Sequence, residues 1–444
     1  MCDLFKQSIT ARFSKQILMT DSRRSFLKKL GIGTVAGTAT FANFGMGFQD
    51  AIARQPLSSS PSDLKITKVT SAYVLPDQRK MFIKIETNQG ITGYGEAVDA
   101  VGGTYYLAKQ LGEKLIGKNP INVNRLFEDV RRVNPLAPFV GSQSGVFVAV
   151  LSAIDIALWD LAGKALGLPV YQLLGGKFRD SVHLYTHPID NSGPPERIAA
   201  SCLAAKNAGY DAVKFWVDFS AFDEDPNKQD AYNRTYNNKE IARIINTVAA
   251  VRSAVGPDMA VMIDMHTRFD LPTALRLVKA LEPYNLTWIE EPVPAENMEA
   301  LREVTLSSST PICVGENLFL IHQFQTLLEM KAADIIMPDV QKCGGIGEAQ
   351  RIATIANANY VPFAPHMVGT PYAMMASAHI CAAVPNFFML ESNLKTISDW
   401  EGILVEAPVI KNSFLKVSDK PGIGLELIEE GLRKYATPGI PFFE

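Results

Sequence analysis

Cysteine is scarce in this chain and falls into no pattern. Cys2, Cys202, Cys313, Cys343 and Cys381 contain no C-x-x-C pair and no metal-ligand spacing. That excludes a disulfide-stapled scaffold and a thiolate metal centre; the last four sit in apolar stretches and read as buried thiols. An excess of one charge is missing as well. A net charge of −3 and a pI near 6.1 leave no electrostatic case for nucleic acid as a partner. No N-terminal stretch makes a good membrane span, because the weakly apolar run from Leu30 to about Phe48 is broken by Gly and Asn. What remains is 47% hydrophobic and 20% charged over 444 residues, an ordinary soluble composition with enough length for a two-part architecture.

The richest stretch runs from Val261 to Glu316. Three short apolar runs, VMIDMH, LTWIEEP and ICVGEN, each end in acid, and Asp264, Glu290 and Glu316 follow at equal spacing. That rhythm is one strand, one helix and two loops, so the stretch reads as consecutive βα units. In a parallel barrel neighbouring strands end on one face, and the three acids would meet there. Carboxylates gathered in a small volume repel, and a hard divalent cation resolves the repulsion; oxygen-only ligation suits Mg²⁺. The plainer alternative is three strand-end acids capping the helices that follow.

Residues 1–62 read as a leader and linker. SRRSFLKKLG is a twin-arginine pattern, the run behind it an h-region, and Ala51-Ile52-Ala53 an A-x-A cleavage site. The expected location is therefore periplasmic or extracytoplasmic by the Tat route, with no integral span once the signal is removed, and Met19 is a possible start. Residues 63–181 predict an α+β capping domain. LKITKVTSAYVL, MFIKIETNQG and ITGYGEAV form an antiparallel meander, followed by helices near Tyr105–Ile116, Asn124–Arg132 and Gly145–Leu166. The last helix is apolar nearly all round, which calls for burial between domains. Residues 182–400 predict a modified (β/α)7β TIM-type barrel, so the class is α/β. Eight candidate strands begin at residues 182, 211, 259, 286, 311, 334, 360 and 387. The long Asp218–Asn238 insertion is a candidate lid, and residues 401–444 are expected to pack back on the capping domain.

The motifs ITGYGEAV, LSAIDIALWDLAGKALGLPVYQLLGG, IDMHTR, WIEEP, VGEN, IIMPDVQKCGGI and VPFAPH together resemble the enolase superfamily, in its mandelate racemase-like subgroup. Within it they are most similar to the galactonate- and gluconate-type sugar-acid dehydratases. The resemblance implies that Asp264, Glu290 and Glu316 bind Mg²⁺, in agreement with the spacing. It also implies loss of a C2 proton and a C3 hydroxyl from an aldonate-type sugar acid, giving a 2-keto-3-deoxy acid, in a homo-oligomer. A cycloisomerase acting on an anhydro-sugar acid, or another racemase or isomerase of the superfamily, is the alternative. A non-catalytic exported carbohydrate-binding barrel is a third reading, disfavoured because binding alone needs no base.

His366 ends the seventh candidate strand and Asp339 the sixth. An imidazole oriented by a carboxylate is what a general base requires, and in the resembled dehydratases this dyad takes the C2 proton. His266 lies two residues past Asp264, where strand alternation points both inward; there the resembled dehydratases use a His to protonate the departing hydroxyl. The second strand ends KFW. Racemases of the superfamily carry Lys-x-Lys here, but Trp216 cannot accept a proton, so only Lys214 remains, as an expected contact to the substrate carboxylate. Glu391 ends the eighth strand and is expected to face the substrate. His187 ends the first strand as a weaker candidate, while His322 and His379 read as surface and packing residues.

Overall fold

The computed structural model describes residues 61–74, 80–100, 103–132, 136, 139–217, 234–393 and 399–444. The twin-arginine segment and most of the Asp218–Asn238 insertion lie outside the described residues.

The cap opens with β1 (Ile66–Val74), β2 (Lys80–Thr87) and β3 (Thr92–Ala97), an antiparallel sheet in sequence order. It continues with helices α1 (Thr104–Glu113), α2 (Val123–Arg131) and α3 (Gly145–Leu166). Helix α3 is buried almost throughout, as its all-round apolar sequence demands. Each fully buried Leu or Ile contributes roughly 1.5–3 kcal/mol by leaving water, so this helix is the main brace of the cap. It ends at Gly167, whose φ of 70° is the left-handed stop that glycine favours. Strand β3 lies so close to α3 that a Cβ at Gly95 would sit 2.0 Å from the Ala153 carbonyl oxygen. That contact explains the small residues of TGYGEA.

Parallel strands follow: β4 (Ser181–His187), β5 (Ala212–Trp216), β6 (Ala260–Asp264), β7 (Trp288–Glu290), β8 (Ile312–Val314) and β9 (Ile335–Ile336). The seventh candidate strand, VPFAPH, makes only isolated parallel bridges at Phe363, to Ile336 on one side and Phe387 on the other. Pro362 and Pro365 lack the N–H groups a longer ladder needs. Phe387 leads into β10 (Leu390–Asn393), which pairs in parallel with β4, so the order of strands returns to its start.

Alternation along these strands places the site. Tyr185, Ala212, Met262, Trp288, Cys313, Met337, Ala364 and Met389 pack together inside the barrel. Two residues further along the chain stand His187, Lys214, Asp264, Glu290, Gly315, Asp339, His366 and Glu391. A hydrophobic plug thus supports a polar layer, built from nearly every strand.

The C-terminal tail returns to both parts of the molecule. Its hairpin β11 (Ile410–Lys411) and β12 (Phe414–Lys416) pairs antiparallel with β4. Further on, the Thr437 and Phe443 N–H groups donate to the Tyr73 and Ser71 carbonyls of the cap, at 2.9 Å each.

Candidate active site

A cavity of about 510 Å³ opens over the polar layer. Asp264, His266, Glu316, His366 and Glu391 line its barrel side, and Lys80 and Asp99 reach in from the cap. The structure therefore gathers most of the sequence-predicted residues into one place. Glu290, Asp339 and Lys214 are fully buried in the layer beneath.

The acids are paired with cations. Lys214 Nζ lies 2.5 Å from Glu290 Oε1, 2.8 Å from Glu391 Oε1 and 3.7 Å from Asp264 Oδ2. Burial alone would lower the Lys214 ammonium, but Glu290 and Glu391 hold it well above its ordinary range. Lys214 thus neutralises the floor and is not among the cavity-lining residues, unlike the substrate contact expected from sequence. Burial, and then the Asp264 charge, push the Glu290 carboxyl well above the usual range, against the pull of Lys214. Asp264 is held low despite its burial, by His266 and Lys214. Among the described residues no three such side chains close into a ready cage, because Asp264 turns to His266, Glu290 to Lys214 and Glu316 to His366.

His366 is buried and clasped from both sides. Its Nδ1 is 2.7 Å from Asp339 Oδ2 and its Nε2 2.8 Å from Glu316 Oε2. Burial opposes its charged form, but Glu391 and Glu316, helped by the Asp339 hydrogen bond, hold the imidazolium well above its ordinary value. Glu391 also accepts from the Met367 N–H at 2.9 Å and pairs closely with His187 Nε2.

His266 reaches the site by a different route from the one alternation suggests. Strand β6 stops at Asp264, and His266 and Thr267 both take left-handed backbone, with φ of 46° and 57°. The turn folds back so that His266 Nε2 lies 3.1 Å from Asp264 Oδ2, while its N–H donates to Asp264 Oδ1 at 2.8 Å. His266 is about a third exposed to the cavity, and its ring leans on Trp216, centroid to centroid 5.6 Å. Buried His379, in contrast, spends its ring nitrogens on the Tyr171 N–H and the Ile423 carbonyl, a packing role.

Several site residues were not singled out from sequence. Lys342, three residues past Asp339, lies 2.6 Å from Asp99 of the cap and ties the two halves at the cavity wall. Lys80 is buried at the start of β2, with its ammonium 5.6 Å from the Trp400 ring centroid. Glu291, the second acid of WIEEP, is fully buried behind Glu316. Doubled acids and a lysine near a strand end were the available signals.

Residues 55–175 match the family described as mandelate racemase/muconate lactonizing enzyme, N-terminal domain, and residues 197–431 match Enolase C-terminal domain-like. A D-xylonate dehydratase of Haloferax volcanii is 37% identical over 384 residues, covering 86% of this chain and 91% of that protein. A D-galactonate dehydratase of Pectobacterium atrosepticum is 33% identical, covering 83% and 93%. Among solved structures, a mandelate racemase/muconate lactonizing enzyme-like protein from Rubrobacter xylanophilus is 39% identical with a TM-score of 0.80, covering 86% and 100%. The 3,6-anhydro-D-galactonate cycloisomerase from Zobellia galactanivorans is 27% identical with a TM-score of 0.74, covering 84% and 99%. Cap, parallel sheet and both matched regions agree: the chain belongs to the mandelate racemase/muconate lactonizing enzyme family of the enolase superfamily.

Proposed function

We propose that this chain is a hydro-lyase that dehydrates an aldonate-type sugar acid, removing the C2 proton and the C3 hydroxyl to give a 2-keto-3-deoxy acid. The observation that carries the reading is a one-sided base. His366, held by Asp339 at 2.7 Å, faces the cavity, whereas β5 ends in Trp216, which cannot accept a proton. Racemisation needs a base on each face; elimination needs one base and one acid.

Asp264, Glu290 and Glu316 would supply the all-oxygen carboxylate set that Mg²⁺ takes, on giving up their partners His266, Lys214 and His366. When bound, the ion would offset the carboxylate charge that holds His366 protonated and oppose the negative charge growing on the substrate carboxylate. The protein's own groups do the proton work. Asp339 fixes the His366 ring, so that its Nε2 takes the C2 proton inside the cavity. His266, more exposed and steadied by Asp264, delivers a proton to the departing hydroxyl. Lys214 stays beneath, balancing Glu290 and Glu391 and keeping the floor rigid.

The D-xylonate and D-galactonate dehydratases among its relatives support sugar acids as the substrate class. Incubating the protein with Mg²⁺ and a panel of aldonates, including those two, should give 2-keto acid from at least one. The cycloisomerase relative supports a second reading, in which the same proton abstraction expels a ring ether. Turnover of anhydro-sugar acids alone would favour it. The twin-arginine pattern supports action outside the cytoplasm.

A further inference from the structure

One of the three acids breaks the rule that places the others. Strand parity carries Met262 to Asp264 and Trp288 to Glu290, inward to inward. From inward-facing Cys313 the same step lands on Gly315, and Glu316 would point away from the barrel axis. Yet Glu316 lines the cavity and meets His366 at 2.8 Å. Gly315 has a φ of 147°, and a Cβ there would lie 2.8 Å from Phe324 Cε1, so the chain makes an irregular turn that only glycine fits.

What holds that turn is Glu291. Its Oε1 accepts from the Gly315 N–H at 2.8 Å. Its own N–H donates to the Cys313 carbonyl at 3.1 Å, and its carbonyl accepts from the Thr267 N–H at 2.8 Å. A single residue therefore joins the chain just past Asp264, the end of β7 and the turn before Glu316. It does so fully buried, at a left-handed φ of 40°, with Oε2 lacking any partner among the described residues. A buried carboxyl with an unused oxygen and strained backbone is a costly arrangement. Nothing in hydrophobic packing explains it.

We infer that Glu291 is a positioning residue for Glu316: its side-chain oxygen, by accepting from Gly315, sets the turn that swings Glu316 into the cavity to complete the three-acid set. The inference rests on the metal reading of Asp264, Glu290 and Glu316, and adds to it a residue that need not touch the ion. What matters is the acceptor oxygen, so an amide in its place serves equally.

The test is Mn²⁺ titration of the full chain, followed by electron paramagnetic resonance, for wild type, Glu291→Gln and Glu291→Met. Thermal melts in EDTA report the fold independently of the ion. Glu291→Met, of similar size but without the acceptor, should bind Mn²⁺ about 10–100-fold more weakly, the usual effect of losing a ligand-orienting partner. Glu291→Gln should stay within about threefold of wild type and keep the Gly315 amide protected from hydrogen exchange. A folded Glu291→Met variant with wild-type affinity overturns the inference. So does a Glu291→Gln variant as weak as Glu291→Met, which would put charge in place of the hydrogen bond. If Glu291→Met does not fold, Glu291→Gln decides alone: tenfold weakening or loss of Gly315 protection overturns the inference, and retention of both supports it. Wild type that binds no Mn²⁺ removes the metal reading itself, and this inference with it.

Discussion

At the scale of single residues, the two histidines divide one reaction. His366 is buried and clasped by Asp339 and Glu316, whereas His266 stands more exposed on a left-handed turn beside Asp264. If His366 acts before the C2–H bond is lost and His266 after it, their variants differ in kind. His366→Asn should lose at least about a hundredfold in both dehydration and exchange of the substrate C2 proton with D₂O, the usual scale for a missing general base. His266→Asn should lose dehydration but retain some exchange, with configuration kept, because Trp216 offers no base on the other face. NMR of substrate recovered from D₂O reads both. Exchange surviving in His366→Asn but not in His266→Asn would reverse the roles, and epimerised substrate would reveal a second base.

At the scale of elements, the seam between β3 and the helix Pro371–Ala383 offers a pH-dependent prediction. Glu96 at the end of β3 is fully buried and accepts from the Thr370 N–H at 2.9 Å and from the Thr370 hydroxyl. Burial raises its carboxyl from 4.5 to about 7, although Lys80 and Thr370 pull it down. The unfolded chain releases this proton near pH 4.5 and the folded chain only near pH 7. The folded state therefore binds the extra proton between those values, and stability falls as pH rises through that window. At roughly 1.4 kcal/mol per pH unit the loss is on the order of 3 kcal/mol. Glu96→Gln should flatten this part of the Tm-against-pH curve and melt higher than wild type above about pH 7. Parallel curves for the two proteins would show that Glu96 does not carry the slope.

Elements also show where sequence reading succeeds. Asp264 and Glu290 were legible from equal spacing after apolar runs, and Asp339, His366 and Glu391 from their places at the ends of candidate strands. Glu316 was found by spacing, but its inward aim depends on a glycine turn that spacing does not describe. Lys80, Asp99 and Lys342 were missed because their partners lie far off in the chain, across the cap–barrel boundary. The pairing of β12 with β4 was hidden likewise, since short tail strands carry no mark of which sheet they join.

At the scale of the whole molecule, cap and barrel residues together line a polar cavity of about 510 Å³, and the first 62 residues of the sequence carry export grammar. If that segment is read as a signal, Arg23→Lys with Arg24→Lys should leave active protein in the cytoplasm, since the Tat route carries folded chains. Fractionation showing unchanged export would dismiss the proposal. The central claim, elimination begun by C2 proton loss, is tested most directly by running the purified protein with Mg²⁺ and D-xylonate or D-galactonate in D₂O and following the product by NMR. Dehydration through an enol predicts a 2-keto-3-deoxy acid carrying solvent deuterium at C3, with its formation stopped by EDTA. Product formed without deuterium at C3, or C2 epimerisation with no 2-keto acid from any aldonate tried, would contradict the account.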